Sequence, residues 1–304
     1  MPRFSLGPAL AVLVVTLSQS IASQGPGVDP EHARRVEAWR AKHEADYTRE
    51  YVPLAGLFFL EPGRNSVGSA PSSRVRLPER APAMVGSIVF EDGVVGFEPR
   101  AGAPLTLAGA PVTSPVVLRP AGSAGPADEI AVGDLAFWVH MSGPRYAIRL
   151  RDPQGEPART FLGFRWFPID ARYRVVARFI EDPAPREVQV PSLTGDDQTF
   201  TTEGIVEFEL LGTKVRMRPM TTRPGRLYFV FRDLTSGSET YAAARFLYAD
   251  LAPDKTTVLD FNEAYNPPCA FNPYTTCPLP LPENRLTIPI RAGERDYPHP
   301  PPLP

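Results

Sequence analysis

Residues 204–219 read Gly204-Ile205-Val206-Glu207-Phe208-Glu209-Leu210-Leu211-Gly212-Thr213-Lys214-Val215-Arg216-Met217-Arg218-Pro219. Two strand-forming runs, 204–211 and 214–219, meet at Leu211-Gly212-Thr213, which reads as a tight turn. Short apolar runs punctuated by Gly, Pro and Asp are the mark of an all-β chain. The same rhythm spreads outward from this hairpin. Downstream it predicts strands at 226–231, 241–248 and 256–260. Upstream it predicts 187–190 and 173–181, then 145–151, 135–141, 116–118, 94–98, 87–90 and 56–60. Glu91-Asp92-Gly93 joins two of these as a hairpin turn, with glycine where a positive φ is needed. No fixed-period repeat is present.

Before residue 52 the pattern is helical. Asp29 is a good N-cap and Pro30 suits the first helical position. Val36, Trp39, His43 and Tyr47 follow at spacings of three and four, so they share one face, which is expected to pack on a sheet. His43 on that face reads as a core or rim residue. Ahead of the helix, Arg3, the apolar run Ala9–Leu17 and the small-residue site Ser20-Ile21-Ala22 read as an export signal over 1–22. A retained membrane anchor is the alternative reading of that run. The apolar run is too short to span a bilayer stably, and no later segment is long and apolar enough to do so. Only Lys42, Lys214 and Lys255 among the 32 basic residues are lysines, a bias expected of a GC-rich bacterial genome. The expected location is periplasmic or extracellular, where disulfides persist.

The 304 residues and 43% hydrophobic content suffice for two cores. The net charge of -2 without a long basic run argues against nucleic acid as the main partner, because phosphate binding needs a clustered positive field. The best boundary is 151–157, Arg-Asp-Pro-Gln-Gly-Glu-Pro. Expected units are therefore a helical segment at 23–51, a β-sandwich at 52–151, a β-barrel-like domain at 158–292 and an extended tail at 293–304.

Within 52–151, Val67-Gly68-Ser69, Arg74-Val75-Arg76-Leu77 and Gly133-Asp134-Leu135 have a recognisable order. It resembles that of a forkhead-associated (FHA-like) domain, a β-sandwich that binds phosphothreonine peptides. Ser69 stands where that family has its phosphopeptide arginine, and no Ser-Arg-x-x-His follows between 78 and 86. The resemblance thus implies the sandwich without its phosphate site. A broader resemblance rests on Phe164–Val175, Phe231–Gly237, Thr240–Leu247, and Leu259–Tyr265 running on to Leu286. Together with Leu54–Ser69 near the start, these resemble the domain of unknown function 1684 family of bacteria and archaea, over residues 31–294. That resemblance brings a pattern and no activity.

The chemistry must come from the residues. The closing stretch, Asn262-Glu263-Ala264-Tyr265-Asn266-Pro267-Pro268-Cys269-Ala270-Phe271-Asn272-Pro273-Tyr274-Thr275-Thr276-Cys277, holds both cysteines of the chain. Seven residues separate Cys269 from Cys277. In an exported protein such a pair reads first as a disulfide, contributing ~2–3 kcal/mol in the chain-entropy model. A thiol nucleophile or a zinc pair are the alternatives, the latter lacking nearby Cys or His partners.

Asn262, Tyr265, Asn266, Tyr274, Glu283, Asn284 and Arg285 can be read in two ways. They cap turns and bond backbone groups, or they line the mouth of a barrel and orient a small polar or carbohydrate-like ligand. Asp170, Asp233 and Asp260 sit at strand ends. Glu283 with Asp233 or Asp260 would serve a hydrolase if both faced one cleft; otherwise these carboxylates form turns and ion pairs. Asp196, Asp197 and Asp254 lack the spacing of a calcium loop. His299 in the tail is a weak metal candidate. A Ser-His-Asp triad would have to use His140, the only mid-chain histidine.

The fold expected is all-β with one N-terminal helix, an FHA-like sandwich followed by a β-barrel-like domain. No cofactor or metal is implied. The expected partner is an unidentified small molecule or envelope component, or, in a purely structural role, another protein.

Overall fold

The computed structural model describes residues 27–298, apart from 124, 194 and 196. The expected export signal, Asp196 and His299 lie outside the described residues. Helix α1 (Pro30–Glu50) starts as expected. The Asp29 carboxylate accepts a hydrogen bond from the Glu31 N–H at 3.1 Å, and Pro30 opens the first turn. Pro53 lies just beyond its end and disfavours helix at Val52.

Eleven strands follow. They are β1 (Leu54–Phe59), β2 (Gly63–Gly68), β3 (Val75–Arg76), β4 (Gly86–Glu91), β5 (Val94–Pro99), β6 (Leu105–Leu107), β7 (Ala110–Pro111), β8 (Val116–Val117), β9 (Glu129–Val132), β10 (Leu135–Ser142) and β11 (Arg145–Arg151). They build two sheets, ordered β1-β11-β10-β9-β6-β7 and β3-β2-β4-β5-β8. Inward residues of both sheets form one core, with Val67, Ile88 and Phe97 facing Ile130, Phe137 and Ile148. Phe97 meets Phe137 edge-on at 5.6 Å. Asp92 and Gly93 both have positive φ (49° and 77°), the backbone that a two-residue hairpin loop requires. Strands β6, β7 and β9 answer to no expected strand, and β2 and β3 only to the residues 67–69 and 74–77 of the forkhead-associated resemblance.

Helix α2 (Glu156–Thr160) leads into the second β-unit. It comprises β12 (Arg174–Pro191), β13 (Asp197–Leu210), β14 (Thr213–Met217), β15 (Met220–Arg223), β16 (Arg226–Phe231), β17 (Arg245–Asp250) and β18 (Thr256–Asp260). The order is β17-β16-β15-β13-β12-β18, with β14 paired to β13. A bridge between Leu251 and Thr257 brings the end of β17 to β18, so the sheet nearly closes into a barrel. Val206, Phe208 and Leu210 point inward with Phe229, Phe231 and Leu259.

The quoted hairpin turns through Leu211 and Gly212, at φ 52° and 78°. β12 is one strand where two are expected. Pro183 and Pro185 fall in the register shift between Glu181 and Arg186, where no ladder partner is needed. β17 starts at Arg245 rather than 241, because the preceding loop is folded on Asp233 and Thr235.

Across that loop runs the most deeply buried ion pair among the described residues. Arg245 donates to Asp233 at 2.7 Å, with the two side chains 1% and 0% exposed. Arg245 also donates to the carbonyls of Ile290 and Ala292, while Asp233 accepts from the Ile290 N–H. The pair thereby seats Leu286, Ile288 and Ile290 of the closing segment in the barrel core. Removing one partner would leave the other uncompensated, at about 3–5 kcal/mol.

The apolar face of α1 meets less of a sheet than expected. Val36 packs on Ile169, and Trp39 and Tyr47 pack on a cluster that includes Tyr228, Phe246 and Tyr265. Arg40 is buried on this face, donating to the carbonyls of Phe167 and Asn262 and lying 4.8 Å from the Trp166 ring centre. No helix among the described residues is long and apolar enough to cross a membrane.

Candidate functional site

The asparagines of the closing segment bind backbone. Asn262, fully buried, accepts from the Asp170 N–H at 2.9 Å and donates to the Asp170 carbonyl at 3.0 Å. Asn284, also fully buried, does the same with Arg218, at 2.7 and 2.9 Å, and donates further to Val230. Asn266 takes the Arg295 carbonyl with its side chain and places its own N–H on Glu294. Asn272, absent from the expected set, donates to the carbonyls of Tyr51 and Leu54, tying the loop to the start of the sandwich.

Glu283 accepts from Arg218 at 2.9 Å, and Arg285 is exposed with its backbone bridged to Arg232. Tyr274 is half-buried, its N–H on Asn272. Asp170 pairs with Arg172, which holds its carboxyl below the usual range, and Asp254 caps Thr256. Among the described residues no hydrogen bond joins Glu283, Asp233 and Asp260: Asp233 is sealed in the barrel on Arg245, and Glu283 is on Arg218.

Of the expected residues, Tyr265 and Asp260 border a groove of about 760 Å³ between α1 and strands β17 and β18. Trp39, His43, Tyr248 and Tyr265 make its aromatic wall. His43 stacks on Trp39 at 5.0 Å, and burial lowers its pKa to about 4, so it is neutral, as a core histidine should be. Asp260 accepts from His32 Nε2 at 2.7 Å and from Arg35 at 2.6 Å. Arg35 also holds Glu263 at 2.6 Å. Burial first, and the Asp260 charge second, push the Glu263 carboxyl above its ordinary range.

Arg226 lies over Tyr248 at 5.0 Å and pairs with Asp250 at 2.8 Å. The wall holds four basic and four acidic side chains, so its formal charges balance. His32, Arg35 and Arg226 escaped the sequence reading. The signal was there in part, because Arg35, Trp39, Lys42 and Asp46 form a stripe at helical spacing.

The two cysteines stand side by side. They carry no disulfide in this structure, and both belong to one packed cluster. The Cys277 thiol first, and burial second, raise Cys269 far above the ordinary thiol range. Among the described residues no group of three or more His, Cys, Asp and Glu side chains is placed to hold a metal ion.

Residues 159–295, which carry the barrel and the closing segment, match the family described as protein of unknown function (DUF1684). The chain belongs to this family. A solution NMR structure of an uncharacterized protein of Haloarcula marismortui is 31% identical over 47% of this chain and 82% of that chain, with a TM-score of 0.38. None of the curated proteins matches. In this DUF1684 chain the matched region includes the Asp260–Glu263 side of the groove, while Arg35 and Trp39 come from α1, outside it.

Glu294 is the most perturbed acid here. It is 2% exposed, and burial pushes its pKa up to about 8 despite the Asn266 N–H it accepts. Between the unfolded value near 4.5 and about 8, the folded state retains a proton that the unfolded state has lost. Stability therefore falls as pH rises through this window. Glu294→Gln should remove that loss. Its stability relative to the unaltered protein, measured by urea unfolding at pH 5, 6.5 and 8, should increase with pH. A pH-independent difference would show that Glu294 is ionised in the fold.

Proposed function

We propose that this protein is an exported binding protein of the bacterial envelope that takes a small, neutral, carbohydrate-like ligand in the groove between α1 and the barrel. The observation that carries this reading is the pairing of an aromatic wall with balanced charges already held in ion pairs. Sugar hydroxyls both donate and accept, and fixed carboxylates and guanidinium groups can meet them without a net charge to neutralise. Asp260, held by His32, Arg35 and Asn262, is preorganised for that role. The sandwich, which we read as FHA-like, serves as scaffold. Ser69, in place of a phosphate-binding arginine, donates its hydroxyl to the Ala81 carbonyl at 2.7 Å.

Calorimetry with glucose, N-acetylglucosamine and cellobiose tests this. At least one should bind, and Trp39→Ala should weaken it at least ~10-fold while circular dichroism stays unchanged. Absence of binding by all three, or full affinity in Trp39→Ala, would refute the reading.

Export carries its own consequence. The packing of Cys269 and Cys277 in one cluster supports their closing as a disulfide in an oxidising compartment. Intact mass after alkylation should show no label without reductant and two labels with it. Two labels without reductant would mean free thiols and would remove the disulfide.

A further inference from the structure

A second cavity, of about 330 Å³, lies where the sandwich, α1 and the barrel meet. It shares only Tyr248 and Tyr265 with the groove. Its chemistry is different, because no carboxylate lines it and its one permanent cation is Arg149, from β11. Other arginines withdrawn from water are met by oxygens: Arg40, which has no ion pair among the described residues, donates to the carbonyls of Phe167 and Asn262, and three more pair with carboxylates. Arg151, two residues on, pairs with Glu129; Arg218 pairs with Asp182 and Glu283; Arg245 pairs with Asp233. Arg149 has no ion pair among the described residues. Its hydrogen bonding there is to His140 Nε2 at 3.2 Å, and its Nε is buried without a partner.

His140 does not offset this charge. A guanidinium can only donate, so the Nε2 facing it is the unprotonated nitrogen. Burial, with the Arg149 charge second, lowers the His140 pKa to about 3. Thr276 Oγ1 lies 3.3 Å from the same nitrogen. An uncompensated guanidinium withdrawn from water is costly and attracts an anion. Around it stand the rings of Tyr47, Tyr51, Phe200, Tyr228 and Phe246. Tyr228 stacks on Tyr248 at 4.7 Å and meets Phe246 edge-on at 5.2 Å. Such walls favour a flat apolar body.

We infer that this cavity binds a small organic carboxylate with a flat apolar body, its carboxylate on the Arg149 guanidinium and its body between the aromatic rings. One cation suits a singly charged group better than a phosphate dianion. The site stands independently of the sugar groove, since neither Arg149 nor Phe200 borders that groove.

The test is calorimetry on the full chain at pH 7 and low salt, with benzoate, its neutral isostere benzamide, and inorganic phosphate as probes. Benzoate should bind at least ~10-fold more tightly than benzamide and than phosphate. Arg149→Met should abolish the preference, and Arg149→Lys, which keeps the charge but not the fork, should retain a reduced one. If Arg149→Met does not fold, Phe200→Ala decides the location. Loss of at least ~3-fold in benzoate affinity is expected, and unchanged affinity overturns the site. No binding of benzoate, equal binding of benzamide, tighter binding of phosphate, or a preference surviving in Arg149→Met would each overturn the inference.

Discussion

The closing segment is rich in proline and so poor in backbone donors, and its buried asparagine side chains bind the neighbouring backbone instead. A carboxamide donates and accepts, as a peptide group does. Asn262 and Asn284 each take both the N–H and the carbonyl of one residue on another element, Asp170 and Arg218. Asn272 reaches the turn between α1 and β1. Buried backbone groups left unmet would cost about 1–3 kcal/mol each. The loop is thereby fastened to helix, sandwich and barrel at once, and the Arg245–Asp233 pair anchors its far end in the barrel core.

The same fastening shapes both cavities. Tyr248 and Tyr265, the latter held by its backbone bridge to Phe246, form the wall between them. On one side the side chains of α1 and the barrel bring opposite charges together and neutralise them. On the other, the sandwich contributes Arg149 to a lining of tyrosine, phenylalanine and threonine, and nothing there neutralises it. Two adjacent cavities with a common wall thus differ in chemistry, one lined by balanced charges and the other by a single arginine among aromatic rings.

Much of the fold was legible because it was local. Asp29-Pro30 announces the helix, and Asp92-Gly93 and Leu211-Gly212 announce their hairpins through the backbone they need. β2, β3, β6, β7, β9 and β15 were not among the strands predicted from the apolar pattern; all but β2 are two to four residues long. The continuity of β12 through Pro183 and Pro185 was hidden because proline in a bulge and proline in a loop look alike in sequence. The site was harder. An asparagine binding backbone and one binding a ligand are the same residue, and only the Asp170 and Arg218 backbones beside Asn262 and Asn284 distinguish them. Arg149 sits between Arg145 and Arg151 on one strand, and what lies opposite it depends on a junction formed by residues far apart in the chain.

The most direct measurement is urea unfolding of Asn284→Ala beside the unaltered protein. Losing that side chain strands the Arg218 N–H and the carbonyls of Arg218 and Val230 in the interior. If the closing asparagines hold the fold, the variant should lose at least about 2 kcal/mol at an unchanged slope. An unchanged midpoint would contradict this and return Asn284 to the residues available for a ligand.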